Sequence, residues 1–261
     1  MKRAAGINYA ARGQGSIPVI CLHGIGGDTS SFQPQLDGLK GHIIAWNMPG
    51  YGGSDPLPDL TFPALAIKLR EFLEVLGFKH VHLCGQSIGG MLALEMAFSF
   101  PDYVASLALI GTTAAFGGRD DAFKDKFIAA RLGPLDAGRK ISELAREFVP
   151  EIVGPIATEE TLATATKSMA AVPDETYRAI IRCLVTFNRR ADIETLRIPT
   201  CLIAGEHDQN APARTMARMA DKISGSQYHE IAGAGHLINL EAGGQTNAIL
   251  NNFYDNQRGP T

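Results

Sequence analysis

The apolar positions of this chain fall into short unbroken runs separated by longer amphipathic stretches. The first run, Ile17-Pro18-Val19-Ile20-Cys21-Leu22, stops at His23-Gly24. Similar runs recur at Ile43-Ile44-Ala45-Trp46, Val81-His82-Leu83-Cys84 and Ser106-Leu107-Ala108-Leu109-Ile110. Two more come late, at Pro199-Thr200-Cys201-Leu202-Ile203-Ala204 and Gln227-Tyr228-His229-Glu230-Ile231. A short apolar run without alternation suits a strand buried on both faces, as in a parallel sheet.

Between these runs the period changes. Leu65, Leu69, Phe72, Leu73 and Leu76 recur at helical spacing between Thr61 and Leu76, and Gly77 supplies a stop. A second helix is expected from Ser87 to Phe100, ending before Pro101. Strands alternating with helices predict an α/β fold with a doubly wound, mostly parallel sheet. From about Ala115 to Asp192 no strand-like run occurs. Helix-like patterns there, such as Phe123–Leu132 and Ile141–Val149, are broken at Gly133-Pro134, Pro150, Gly154-Pro155 and Pro173. The expected organisation is a core of residues 1–114 and 193–261, split by an inserted helical cap of residues 115–192.

Composition changes this picture little but excludes much. Of 261 residues, 45% are hydrophobic and 20% charged, which rules out a disordered, collagen-like or disulfide-stapled chain. The 24 basic and 27 acidic residues leave a net charge of −3 with no basic stripe, so no nucleic-acid partner is expected. No apolar run reaches the roughly 18 residues of a membrane span. The charged start Met1-Lys2-Arg3 has no apolar region behind it. The chain therefore reads as soluble, without a membrane partner, and cytoplasmic. Cys21, Cys84, Cys183 and Cys201 form no CxxC pair, and three of them sit in strand-like runs. Reduced, buried thiols are expected.

Three loops carry candidate chemistry. Gly85-Gln86-Ser87-Ile88-Gly89 follows one expected strand and opens an expected helix, the setting of a G-x-S-x-G nucleophile elbow. A serine hydroxyl is too weak an acid to attack a carbonyl unaided, so it needs a base, and the base an orienting acid. After an elbow the acid precedes the histidine in the chain. Asp208 lies in Gly205-Glu206-His207-Asp208-Gln209-Asn210, and His236 ends Gly233-Ala234-Gly235-His236. Both loops follow strand-like runs, so all three residues fall at strand carboxyl ends, where open α/β sheets place their sites. Glu206, nearer its strand, is expected to cap or pair there, and His207 to point away. In His23-Gly24-Ile25-Gly26-Gly27, the Ile25 amide is the expected partner of the Ile88 amide in an oxyanion hole. A dinucleotide loop would need glycine where Thr29 stands. The seven histidines form no ligand motif, although His80 and His82 would share a strand face; neither metal nor cofactor is implied.

Together these segments resemble the α/β-hydrolase family, in its serine-nucleophile branch, over nearly the whole chain. The resemblance implies Ser87 as nucleophile, Asp208 as acid, His236 as base and a helical cap at 115–192. Asn47-Met48-Pro49-Gly50-Tyr51-Gly52-Gly53-Ser54 resembles the family's Asp-x-x-Gly-x-Gly-x-Ser loop, with Asn47 in place of Asp. The Gly-Glu-His-Asp and Gly-Ala-Gly-His segments look most like 3-oxoadipate enol-lactonases and related small-ester hydrolases. Phe187-Asn188-Arg189-Arg190-Ala191-Asp192 resembles theirs as well. The implied partner is a small-molecule ester or lactone, cleaved through an acyl-enzyme. The C–C hydrolases of meta-cleavage products are the second resemblance; they carry Trp after the histidine, where Leu237 stands here. A ligand receptor of the same fold is the third. A carboxylate-bearing lactone would need a cation near the site, and Arg189 and Arg190 are the candidates, with Arg178 and Arg182 behind them.

Overall fold

Val19–Leu22 and Ile43–Trp46 bury every side chain, because helices cover both faces of the sheet at its centre. The computed structural model describes residues 1–116 and 121–257. Its strands are β1 (Lys2–Ala4), β2 (Ile7–Arg12), β3 (Val19–Leu22), β4 (Ile43–Trp46), β5 (Val81–Gln86), β6 (Val104–Ile110), β7 (Thr200–Gly205) and β8 (Gln227–Ile231). The helices are α1 (Gln33–Gly38), α2 (Phe62–Val75), α3 (Ile88–Ser99), α4 (Asp121–Asp136), α5 (Ile141–Ile152), α6 (Glu159–Ala170), α7 (Asp174–Leu184), α8 (Ala213–Ala220), α9 (Ile238–Glu241) and α10 (Gly243–Gln257). One eight-stranded sheet runs in the order β1-β2-β4-β3-β5-β6-β7-β8. Only β1–β2 and β2–β4 pair antiparallel; every other neighbour is parallel.

Alternate residues of each strand face opposite layers. Ile20, Leu22, Leu83, Leu107 and Leu202 pack with Leu65 and Leu69 of α2, Leu92 of α3 and Met216 of α8. Cys21, Cys84, Ile110, Cys201 and Ile203 pack on the other face with Leu36 of α1 and Leu250 and Phe253 of α10. All four cysteines are free and buried, and burial pushes the Cys201 and Cys183 thiols up to about 12. Helix α3 buries nearly all of its residues, and accordingly shows no polar stripe. Among the described residues no helix is long and apolar enough to cross a membrane.

Three features differ from the sequence expectation. The N-terminal hairpin β1–β2 has no apolar run to announce it, because Ile7 and Tyr9 are buried but alternate with half-exposed residues. Pro134 and Pro150 do not break their helices; each sits inside one, in its final turn. There a missing N–H costs one hydrogen bond of a helix already about to end. His80 precedes β5, so it shares no strand face with His82, whose Nδ1 lies 2.7 Å from Ser106 Oγ.

Helices α4–α7 lie between β6 and β7. The two ends of this insertion are tied together where Ala115 bridges Asn188, Phe116 N donates to Phe187 O (2.9 Å) and Arg189 N to Ala114 O (2.8 Å). The insertion touches the strand-end loops directly: Ser168 Oγ donates to Gly26 O at 2.8 Å, and Thr176 Oγ1 to Gly50 O at 3.3 Å.

The layer above the sheet depends on few large side chains. Phe72 is fully buried between Tyr9 and Trp46, with ring centroids 5.3 and 6.3 Å away. Phe72→Ala is expected to cost about 3–5 kcal/mol. Urea unfolding checks it, as a lowered midpoint with an unchanged slope.

Candidate active site

Strand β5 delivers Ser87 to a sharp turn before α3. Its backbone stands at φ 55° and ψ −122°, and only Ala5 shares a positive φ among the described non-glycine residues. Such a conformation costs on the order of 1–3 kcal/mol unless the surroundings impose it. Ser87 N donates to Ile110 O at 2.9 Å, while Ser87 O accepts from Thr112 Oγ1 at 2.7 Å and Gly90 N at 2.9 Å. A Cβ on Gly85 would collide with the Gly89 carbonyl, and one on Gly89 with the Leu22 carbonyl. Two glycines thus let a strand turn directly into a buried helix, leaving the serine hydroxyl at the carboxyl edge.

The loops after β7 and β8 bring Asp208 and His236 to that hydroxyl. His236 Nε2 lies 3.0 Å from Ser87 Oγ, and His236 Nδ1 lies 2.8 Å from Asp208 Oδ2. A carboxylate only accepts, so Nδ1 carries the ring proton and Nε2 is left to accept from the serine. The second Asp208 oxygen accepts from Asn210 N (2.8 Å) and Ala211 N (3.0 Å). Burial alone would raise the Asp208 carboxyl; the charge and hydrogen bond of His236, with the two amides, outweigh it and hold the group below its ordinary value. Glu206 instead accepts from Gly233 N at 2.8 Å, and His207 is half exposed beside it.

The His236 loop is fixed from several sides. Glu241, at the end of α9, is a buried carboxylate accepting from three backbone amides: Gly154 N (2.7 Å), Gly235 N (2.8 Å) and Leu237 N (2.9 Å). One of these belongs to the helical insertion and two flank the histidine. His236 N donates to Ile152 O at 2.7 Å, and Gln86 Nε2 donates to His236 O at 2.9 Å. A Cβ on Gly235 would strike Gly154, so the two segments meet backbone to backbone.

The loop after β3 is held by neutral groups. His23 is fully buried and accepts at Nε2 from Met48 N (2.9 Å), so its protonated Nδ1 donates to Gly24 O at 2.7 Å. Burial pulls its pKa below the ordinary histidine value. Asn47 Oδ1 accepts from Thr29 N at 2.9 Å, and its Nδ2 donates to Gly52 O at 3.3 Å. The amide therefore joins both loops without a charge. Ile25 sits on the site wall. Ile88 is the first residue of α3, a position whose N–H finds no acceptor within its own helix.

Ser87 and His236 face a cavity of about 610 Å³. The insertion supplies most of its apolar wall, including Phe127, Phe148, Met169, Ile181 and Leu184. Arg189, expected to read a substrate carboxylate, does not line it. Its Nε and Nη2 bind Glu95 at 2.9 and 2.8 Å, and Nη1 binds Asp192 at 3.1 Å. Glu95 is buried on α3 and would be costly to leave without a counter-charge, so it captures this arginine. Arg178 pairs with Asp174 and Asp136, Arg182 is exposed, and exposed Arg190 reaches the cavity wall. The cavity arginine that sequence reasoning missed is Arg131 of α4. Its guanidinium lies 3.8 Å from the Phe148 ring centre and 5.4 Å from that of Phe127. Burial lowers its pKa, opposed by Tyr177 and Glu151. The available signal was the spacing of Phe127 and Arg131, one helical turn apart. Glu241 and Gln86 gave none, because their partners are backbone groups. Among the described residues no cluster of three His, Cys, Asp or Glu side chains could hold a metal ion.

Residues 17–243 match a family described as alpha/beta hydrolase fold. The 3-oxoadipate enol-lactonase 1 of Acinetobacter baylyi is 25% identical over 228 residues, covering 85% of this chain and 83% of that one. The dihydrolipoyllysine-residue acetyltransferase component of the acetoin cleaving system of Cupriavidus necator is 24% identical over 94% of this chain, which spans only 65% of that protein's length. Among solved structures, a malate-bound thermophilic esterase from Thermogutta terrifontis superposes with a TM-score of 0.85 at 24% identity, covering 96% of this chain and 93% of the other.

Two measurements test the loop supports. His23 is held below the histidine value, so the unfolded chain takes up its proton first as pH falls through about 6.5. Wild-type stability, measured by urea midpoints, should therefore fall below that pH relative to His23→Gln, and the gap should stop changing above it. Glu241→Ala leaves three amides without their acceptor and should cost about 3 kcal/mol or more. Hydrogen exchange should quicken at Gly154, Gly235 and Leu237 together.

Proposed function

Because the chain belongs to the alpha/beta hydrolase fold family, we propose that it is a serine hydrolase cleaving a small carboxylic ester or lactone through an acyl-enzyme. The observation that carries this reading is the unbroken hydrogen-bond relay from Ser87 through His236 to Asp208, opening on the cavity. In this reading residues 115–192 act as a cap over a core built from 1–114 and 193–261. Four buried free thiols agree with a reducing, cytoplasmic setting.

His236 Nε2 takes the Ser87 proton as Oγ bonds to the substrate carbonyl carbon. The carbonyl oxygen gains the displaced electron pair, and the amides of Ile25 and Ile88 hold that charge. When the tetrahedral adduct collapses, the C–O bond to the leaving group breaks and His236 returns the proton to the departing oxygen. In a lactone this oxygen stays tethered to the acyl chain. A water then gives a proton to His236 and attacks the acyl carbon; Ser87 leaves, recovers its proton, and the carboxylic acid is released. Asp208 remains ionised throughout, keeping the proton on Nδ1 and stabilising the imidazolium. A relative named as an enol-lactonase supports this reading.

Hydrolysis of 4-nitrophenyl acetate should show a burst of about one equivalent per chain, and Ser87→Ala should lower the steady rate by at least about 10³-fold. A fluorophosphonate should label the wild type and not the variant. Equal activity in both proteins would overturn the nucleophile assignment, and a saturable ligand without hydrolysis would favour a receptor.

A further inference from the structure

Among the described residues, partners from three distant stretches of chain hold His236. Its ring meets Ser87 Oγ at Nε2 and Asp208 Oδ2 at Nδ1. Its backbone N donates to Ile152 O at 2.7 Å, at the end of α5, and its backbone O accepts from Gln86 Nε2 at 2.9 Å. The main-chain pair brackets the residue between the insertion and the strand that leads to the serine.

Gln86 closes β5 and is followed directly by Ser87. Both ends of its bond to His236 are buried. The amide lies beside Gly24, where a Cβ would collide with its Oε1. Across from it, Gly111 leaves the His236 carbonyl uncovered; a Cβ there would crowd that oxygen at 3.3 Å and Asp208 Oδ2 at 3.2 Å. A carbonyl only accepts, so the amide nitrogen is the end that faces it. One residue thus fixes the main chain of the base and the next meets its ring. The chain entering His236 passes through Gly233, at φ 74°, and Gly235, so it has little stiffness of its own.

The two ring bonds do not last through a turnover. Once Ser87 Oγ is bonded to an acyl carbon it has no proton to donate, and its bond to Nε2 is lost until water arrives. For that interval Asp208 alone holds the ring, and a ring held at one nitrogen pivots about it. The direction of Nε2 then depends on where the main chain stands. We propose that Gln86 is a positioning residue for deacylation: its amide holds the His236 carbonyl, so that Nε2 still meets the attacking water while Ser87 is esterified. The proposal rests on the serine-hydrolase reading of Ser87. In the step concerned, water gives one proton to Nε2 as its oxygen bonds to the acyl carbon; the C–Oγ bond then breaks, and Oγ takes that proton from Nε2. Acylation depends on Gln86 less, because the Ser87 hydroxyl itself meets Nε2 beforehand.

The test is pre-steady-state hydrolysis of 4-nitrophenyl acetate by Gln86→Met, which keeps an unbranched side chain but offers no donor. A base misplaced by about 1 Å costs on the order of 10²-fold, so the steady rate should fall by about 10- to 100-fold. The burst should stay at about one equivalent per chain. Deacylation sets kcat and acylation sets kcat/KM, so KM should fall with kcat while kcat/KM stays within about threefold. Gln86→Leu, also without a donor, should behave alike, and urea midpoints check that each variant is folded. Gln86→His, which restores a ring N–H, should run at least about fivefold faster than Gln86→Met. Wild-type steady rates in both apolar variants overturn the proposal. A loss shared by burst amplitude, kcat and kcat/KM, as a damaged fold would give, overturns it too. So does a histidine variant no faster than the methionine one, which would leave packing as the cause. A wild type that neither bursts nor takes up a fluorophosphonate would refute the Ser87 reading, and this proposal with it.

Discussion

The turn at Ser87 is the constraint on which the rest of the site depends. A residue with a side chain is held at φ 55° because β5 must end and α3 begin within one residue. That is possible only where Gly85 passes the Gly89 carbonyl and Gly89 passes the Leu22 carbonyl. The parallel sheet then does the remaining alignment. With β3, β5, β6, β7 and β8 all ending at one edge, the loops carrying Ile25, Ser87, Asp208 and His236 have nowhere to meet except above it.

Buried polar groups lock that edge, and they divide by charge. The loop after β3 is tied by neutral His23 and Asn47, which place no additional charge close to the Ser87 hydroxyl. The histidine loop is tied by a charged group, Glu241, whose partners are three amides rather than a cation. One of those amides lies in the helical insertion, so the segment that walls the cavity and the segment that presents His236 share a single anchor. Displacing either would strand a buried carboxylate, which is why the two are coupled mechanically as well as by proximity.

The insertion shows how a cavity acquires its character from what surrounds it. Glu95 sits inside α3 and draws Arg189 toward itself, removing from the site a cation that chain position alone would have put there. Arg131, on α4 at the start of the insertion, instead lies against aromatic rings on the cavity wall. The capture of Arg189 is not written in the local sequence, and the setting of Arg131 is hinted at there only by its spacing from Phe127.

The sequence by itself determined the strand–helix alternation, the elbow and the loops that carry Asp208 and His236, because these depend on local rules. Burial on both faces demands continuous apolar runs, and a strand-to-helix turn demands small residues on each side of the serine. It was silent on the β1–β2 hairpin, whose alternating residues resemble an ordinary surface segment, and it misjudged Pro134 and Pro150, whose effect depends on distance from a helix end. Only the tertiary structure decided that Glu241 collects amides from two distant segments, that Asn47 serves both loops, and that Arg131 rather than Arg189 borders the cavity. Each of those outcomes is set by partners far apart along the chain, and a charge is claimed by whichever buried counter-charge the fold brings nearest.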